Sequence, residues 1–113
     1  MEKNYSDDNG TISYSRGILN NIVTLAVQEV KGMASLYKGN PKKPYYGVKL
    51  EFVDGGEVIV DITVNIFYGY SVPDVAYQIQ ENVKSSVESM TDFKVQAANV
   101  NVLAVTFASE TAG

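Results

Sequence analysis

Tyr68-Gly69-Tyr70-Ser71-Val72-Pro73-Asp74 decides the fold of this chain, because within seven residues it ends a strand, turns a corner and opens a helix. Ser71 is placed to accept the free amides of the first helical turn. Pro73 sits where its missing N–H costs nothing, and Asp74 sets negative charge against the positive end of the helix. Downstream, Val72, Val75, Ala76, Ile79, Val83, Val87 and Met90 recur at three- and four-residue steps, which predicts a helix with one apolar stripe. The run Glu88-Ser89-Met90-Thr91-Asp92-Phe93 then passes directly into Phe93–Phe107, a closing strand whose phase changes around Ala97-Ala98-Asn99, as at a bulge.

Upstream of the corner lies a hairpin. Val48, Leu50 and Phe52 alternate with Lys49 and Glu51, Asp54-Gly55-Gly56 supplies a turn, and Val58, Val60, Ile62, Val64 and Ile66 alternate again. One face is strongly apolar. The other carries Lys49, Glu51, Ile59, Asp61, Thr63, Asn65 and Phe67, a mixture suited to a sheet covered by helices on one side only. Ile59 and Phe67 on that open face are candidate partner-binding residues. Further upstream, Gly10-Thr11-Ile12-Ser13-Tyr14 reads as a short strand and Ser15 as the cap of a first helix. Its stripe is Ile18, Leu19, Ile22, Val23, Ala26, Val27 and Val30, and Gly32 is its left-handed C-cap.

The expected order is therefore strand, helix, hairpin, helix, strand. This is a single α+β domain with two helices on one face of a small mixed sheet. Residues 1–9 are expected to form a disordered tail, residues 10–107 the folded domain and residues 108–113 a frayed end. With 113 residues, 45% of them hydrophobic, the chain is long enough for one core and no more.

Composition excludes more chemistry than the motifs supply. The chain has no cysteine and no histidine, which removes thiolate nucleophiles, disulfides, thiolate metal sites and the usual acid-base group near neutral pH. No activating constellation of carboxylates, lysines or tyrosines replaces them, so the sequence points to no catalytic residue, no metal ligand, no cofactor and no enzyme. An enzyme or metabolite-binding module would have to show a pocket of convergent polar groups. No stretch approaches the ~20 apolar residues of a membrane-spanning helix. The polar, acidic start lacks the pattern of a signal peptide, which leads to the expectation of a cytoplasmic protein.

Charge is unevenly distributed. The window Lys31–Leu50 holds five lysines and no acid, while the other four basic residues and all 13 acidic ones lie outside it. Lys38, Lys42 and Lys43 lie beside Tyr45 and Tyr46, in a segment stiffened by Pro41 and Pro44. Such a loop is a candidate surface for a partner, for anionic lipid or for nucleic acid, and equally reads as a solvated, solubilising loop. The hairpin's second strand, Glu57 to Tyr68, and the closing strand both offer edges to which a second copy could pair.

Several separated blocks resemble one family in the same order: Gly10-Thr11-Ile12-Ser13, Glu29-Val30-Lys31-Gly32-Met33-Ala34, Gly47-Val48-Lys49-Leu50, Tyr68 to Ala76, Gln80-Glu81-Asn82-Val83-Lys84, Val87-Glu88-Ser89-Met90-Thr91 and Val95 to Val102. Together they resemble the alkaline shock protein family from about Gly10 to Val105. Asp92 departs from that pattern, since members commonly have a glycine after the Met-Thr pair. The resemblance implies a small non-enzymatic protein of the envelope and general stress response of Gram-positive bacteria, acting through protein-protein contacts on the cytoplasmic side of the membrane. As partners it implies a membrane anchor protein or a lipid-synthesis enzyme, while self-association is expected from the uncovered sheet face and the strand edges. The alternatives are a regulatory partner of fatty-acid synthesis at acetyl-CoA carboxylase and a small nucleic-acid-binding domain using the loop at 37–49.

Overall fold

The computed structural model describes residues 5–37 and 47–107, with side chains from Ser15 onward. In chain order the elements are α1 (Tyr5–Gln28), β1 (Met33–Leu36), β2 (Val48–Val53), β3 (Glu57–Phe67), α2 (Val72–Met90) and β4 (Lys94–Thr106). β3 is the centre of a mixed sheet. β2 pairs antiparallel with its first half, β1 pairs antiparallel with its last residues on that same side, and β4 runs parallel along the whole of its other side.

Alternation explains why this sheet takes helices on one face. Val58, Val60, Ile62, Val64 and Ile66 are fully buried, while the residues between them are half-exposed. Val48 and Leu50 from β2 and Val95 from β4 join them in the core. Against that face, α2 contributes Val75, Ile79, Val83 and Val87, and α1 contributes Leu19, Val23, Ala26 and Val27. Asn82 of α2 donates to Ala26 O at 2.6 Å, satisfying a carbonyl in the last turn of α1 and joining the two helices.

The corner read from the sequence forms as expected. Ser71 is the N-cap of α2 with its hydroxyl accepting from Asp74 N at 3.4 Å, and Thr91 closes the helix. The Thr91 hydroxyl donates to Val87 O at 2.7 Å and accepts from Phe93 N at 3.0 Å, so the exit needs no glycine at Asp92. Because the cap bond is long, Ser71→Ala should cost about 0.5–1 kcal/mol, in the lower part of the usual range, read as a shift of the urea midpoint. The Asp54-Gly55-Gly56 turn also forms, with φ of 85° and 77° at its glycines, values open to residues without a Cβ. Gly32 has the left-handed φ expected of it, 98°, but four residues beyond the end of α1, in the turn that Met33 N closes on Val30 O at 3.3 Å, rather than as the helix's own C-cap.

Three expectations need correction. Gly10–Tyr14 is not a strand and Ser15 is not an N-cap; both lie inside α1, which starts at Tyr5, within the stretch read as a tail. Both sides of β3 are already taken, the non-β4 side by β1 and β2 in succession, so no position beside the central strand remains for an earlier one. Helical backbone at residue 16 also lets Arg16 donate to Leu50 O at 2.9 Å and stack over Phe52, 5.1 Å from its ring centre, where Phe52 meets Phe93 edge-on. The strand that completes the sheet is Met33–Leu36. Second, Met90 is 69% exposed and does not belong to the buried stripe. Third, β3 offers no free edge to a second copy, being paired along both sides.

The expected bulge in β4 is present one residue early, at Gln96, where Val95 and Ala97 face consecutive residues of β3. A second bulge lies at Leu103.

Candidate functional surface

The sheet face opposite the helices is built from alternate residues of all four strands. Register sets Lys49 opposite Asp61 and Glu51 opposite Ile59 between β2 and β3, then Ile59 beside Ala97, Asp61 beside Asn99, Thr63 beside Asn101 and Phe67 beside Thr106 between β3 and β4. Separate polar pairs are spread along it. Asn99 donates to the Asp61 carboxylate at 2.9 Å, Asn65 to the Ser35 hydroxyl at 3.1 Å, and Gln96 to the Glu57 carboxylate at 2.9 Å. Gly47, Lys49, Asp61, Thr63 and Asn101 line a depression there.

Ile59 and Phe67 both lie on this uncovered face, half-exposed. They are not one patch. Eight residues apart on β3, they are separated by roughly 26 Å, with Asp61, Thr63 and Asn65 between them. Lys38, Lys42, Lys43, Tyr45 and Tyr46 lie outside the described residues. Their flanks are fixed, because Tyr37 N donates to Thr63 O at 2.9 Å and Thr63 N to Gly47 O at 2.8 Å. The chain therefore leaves and re-enters the sheet at one residue.

At the Phe67 end the sheet outruns its helices. The 19 residues of α2 rise roughly 28 Å, whereas the 13 of β4 extend roughly 43 Å. Glu88 reaches Val95 and Gln80 reaches Ala98, so α2 runs antiparallel to β4 from its start and ends short of its finish. The uncovered remainder is apolar. Tyr68 is 67% exposed, Leu103 59%, Phe107 47% and Val105 46%. The Tyr68 and Phe107 rings are in contact, 4.8 Å between centres, and Tyr68 N donates to Thr106 O at 2.6 Å. Reading the sequence by alternation missed this end, since each residue fits a strand. Comparing the lengths of the two elements is the signal that would have revealed it.

Among the described residues no group of three or more acidic side chains is arranged to hold a metal ion, and no helix is long and apolar enough to cross a membrane. The model of the alkaline shock protein 23 family, described as having a cell envelope-related function, matches residues 4–107. The chain belongs to that family. This alkaline shock protein 23 domain is 33% identical to Spy1535 of Streptococcus pyogenes over 99 residues, covering 82% of this chain and 77% of the relative. With YqhY of Bacillus subtilis it shares 25% identity over 108 residues, covering 87% and 78%. Among solved structures, variants of the MamM CTD superpose with TM-scores of 0.55 and 0.54 at 16–17% identity, covering 80% of the family member described here and 96–98% of theirs. At that identity the likeness is one of fold.

Proposed function

We propose that this domain is a non-enzymatic interaction protein of the cell envelope. It acts on the cytoplasmic side of the membrane by binding copies of itself and a membrane-held partner. The observation that carries this reading is the apolar end of the sheet beyond α2, where Tyr68, Leu103, Val105 and Phe107 are exposed and Phe67 is half-exposed at the edge of the helix-free face. Exposed aromatic and aliphatic side chains grouped at one end of a small domain mark a contact surface. The matched family supports the envelope setting.

Nucleic-acid binding through the sheet is less well supported, since the middle of the uncovered face presents Asp61, Thr63, Asn65, Asn99 and Asn101 and no ring on which a base would stack. A fractionation experiment tests the proposal. The full chain, tagged in its native cell, should sediment with membranes, and a Leu103→Asp, Phe107→Asp variant should move to the supernatant by a factor of about ten or more, as expected for losing ~1.4 kcal/mol or more of binding. Equal distribution of the two forms would contradict it.

A further inference from the structure

Among the described residues β4 is the outer strand on its side of the sheet, and from Val95 to Phe107 it has no charged residue. Proteins usually protect such an edge with a lysine or a proline, and this one has neither there. Two side chains of α2 stand over it instead. Glu88 accepts from Val95 N at 2.9 Å and Gln80 donates to Ala98 O at 2.8 Å. Lys94, the residue before, donates to Gly56 O at the head of β3, so the next amide, that of Val95, faces away from β3. A carboxylate takes the place of an incoming strand's carbonyl, and an amide NH₂ takes the place of its N–H.

We propose that Gln80 and Glu88 guard the first half of β4 against a second copy of this chain, and that the chain pairs edge to edge, antiparallel, when they are removed. A second copy is the occupant because the strand is complementary to itself. Antiparallel pairing about a two-fold axis lays one uncharged run on the other and sets no like charges opposite. The bulge at Gln96 adds local twist to the same stretch, and the Asn99 side chain is already engaged by Asp61, so the backbone edge is what remains to pair. The guard is independent of the apolar end, which lies beyond the reach of α2.

The test measures mass by light scattering across a hundredfold range of concentration, in the full chain, against the parent protein. A Gln80→Ala, Glu88→Ala variant should show at least twice the parent's mass where the parent's is constant. Adding Asn101→Lys, at an exposed position on the same strand, should return the mass to the parent's by setting two positive charges near each other across the pair. Glu88→Gln, which keeps an acceptor for Val95 N, should match the parent. A far-UV spectrum and urea midpoint for each variant separate edge pairing from unfolding, since unfolded aggregates would not be dispersed by Asn101→Lys. The proposal is overturned if the double alanine variant keeps the parent's mass, or if its larger mass survives Asn101→Lys. Either result leaves the reading of the apolar end standing, because that rests on Leu103 and Phe107.

Discussion

Ile79→Ala should destabilise the protein by about 2–5 kcal/mol, a large share of the ~5–15 kcal/mol that holds a domain of this size together. Ile79 is fully buried at the centre of the α2 stripe, between Val75 and Val83, and packs on the core that also contains Ile62 and Val64. Removing three carbons there loses their transfer free energy and leaves a cavity that a close-packed sheet cannot collapse to fill. Met90→Ala is the matching control. Met90 fits the same helical spacing yet is 69% exposed, so its loss should stay within about 0.5 kcal/mol. Urea titrations read by circular dichroism check both values, and equal midpoints for the two variants would show that α2 is seated differently.

Gly47→Ala is expected to cost about 2–5 kcal/mol for the addition of one methyl group. Gly47 has φ of 62°, a region that L residues enter at a cost of about 1–2 kcal/mol. Space is the larger obstacle. A Cβ at this position would lie 2.9 Å from Thr63 O, 2.9 Å from Tyr37 N and 3.0 Å from Tyr37 O. All three are backbone atoms, and none can rotate aside as a flexible side chain would. The added methyl must therefore open the junction at which Tyr37 and Gly47 both bond to Thr63, costing about 1–3 kcal/mol as overpacking. Gly55→Ala separates the two causes, because it has φ of 85° and nothing within 4 Å of its added carbon. Only the backbone penalty should appear there. If Gly47→Ala is no worse than Gly55→Ala, the close approach at Thr63 is not a constraint.

How far the sequence specified this fold depends on where a residue's surroundings are local. Ser71, Pro73 and Asp74 act within one helical turn, and the Asp54-Gly55-Gly56 turn joins strands adjacent in the chain, so both were legible. The open sheet face was legible as well, since alternation along one strand assigns every side chain to a face. The first strand was not. Gly10–Tyr14 has residues suited to a strand, but whether it forms one depends on a free place beside β3, and β1 and β2 occupy that side in turn. Met33–Leu36, at four residues, is too short to show a period. Met90 lies at the correct spacing but at the helix end, where α2 no longer faces the core. The exposed end at Leu103 and Phe107 depends on the relative lengths of elements far apart in the chain, and the guard on β4 on two contacts between a helix and a later strand. Neither is encoded in any single segment.

The same division applies to the candidate site. Ile59 and Phe67 were placed on the open face by alternation, and they are there. They stand near opposite ends of that face, eight residues apart along β3, with Asp61, Thr63 and Asn65 between them. Phe67 shares that face with Thr106, while Tyr68 and Phe107, each one residue further on, meet ring to ring at the same end of the sheet on the side that α2 does not reach.

Sedimentation equilibrium of the parent chain beside the Leu103→Asp, Phe107→Asp variant tests most directly the claim that this end is a contact surface. The account predicts that the parent exceeds the 12.3 kDa of one chain by at least twofold at high concentration and that the variant stays at one chain's mass. A parent that remains a monomer throughout, or a variant whose mass matches an associated parent's, would contradict it.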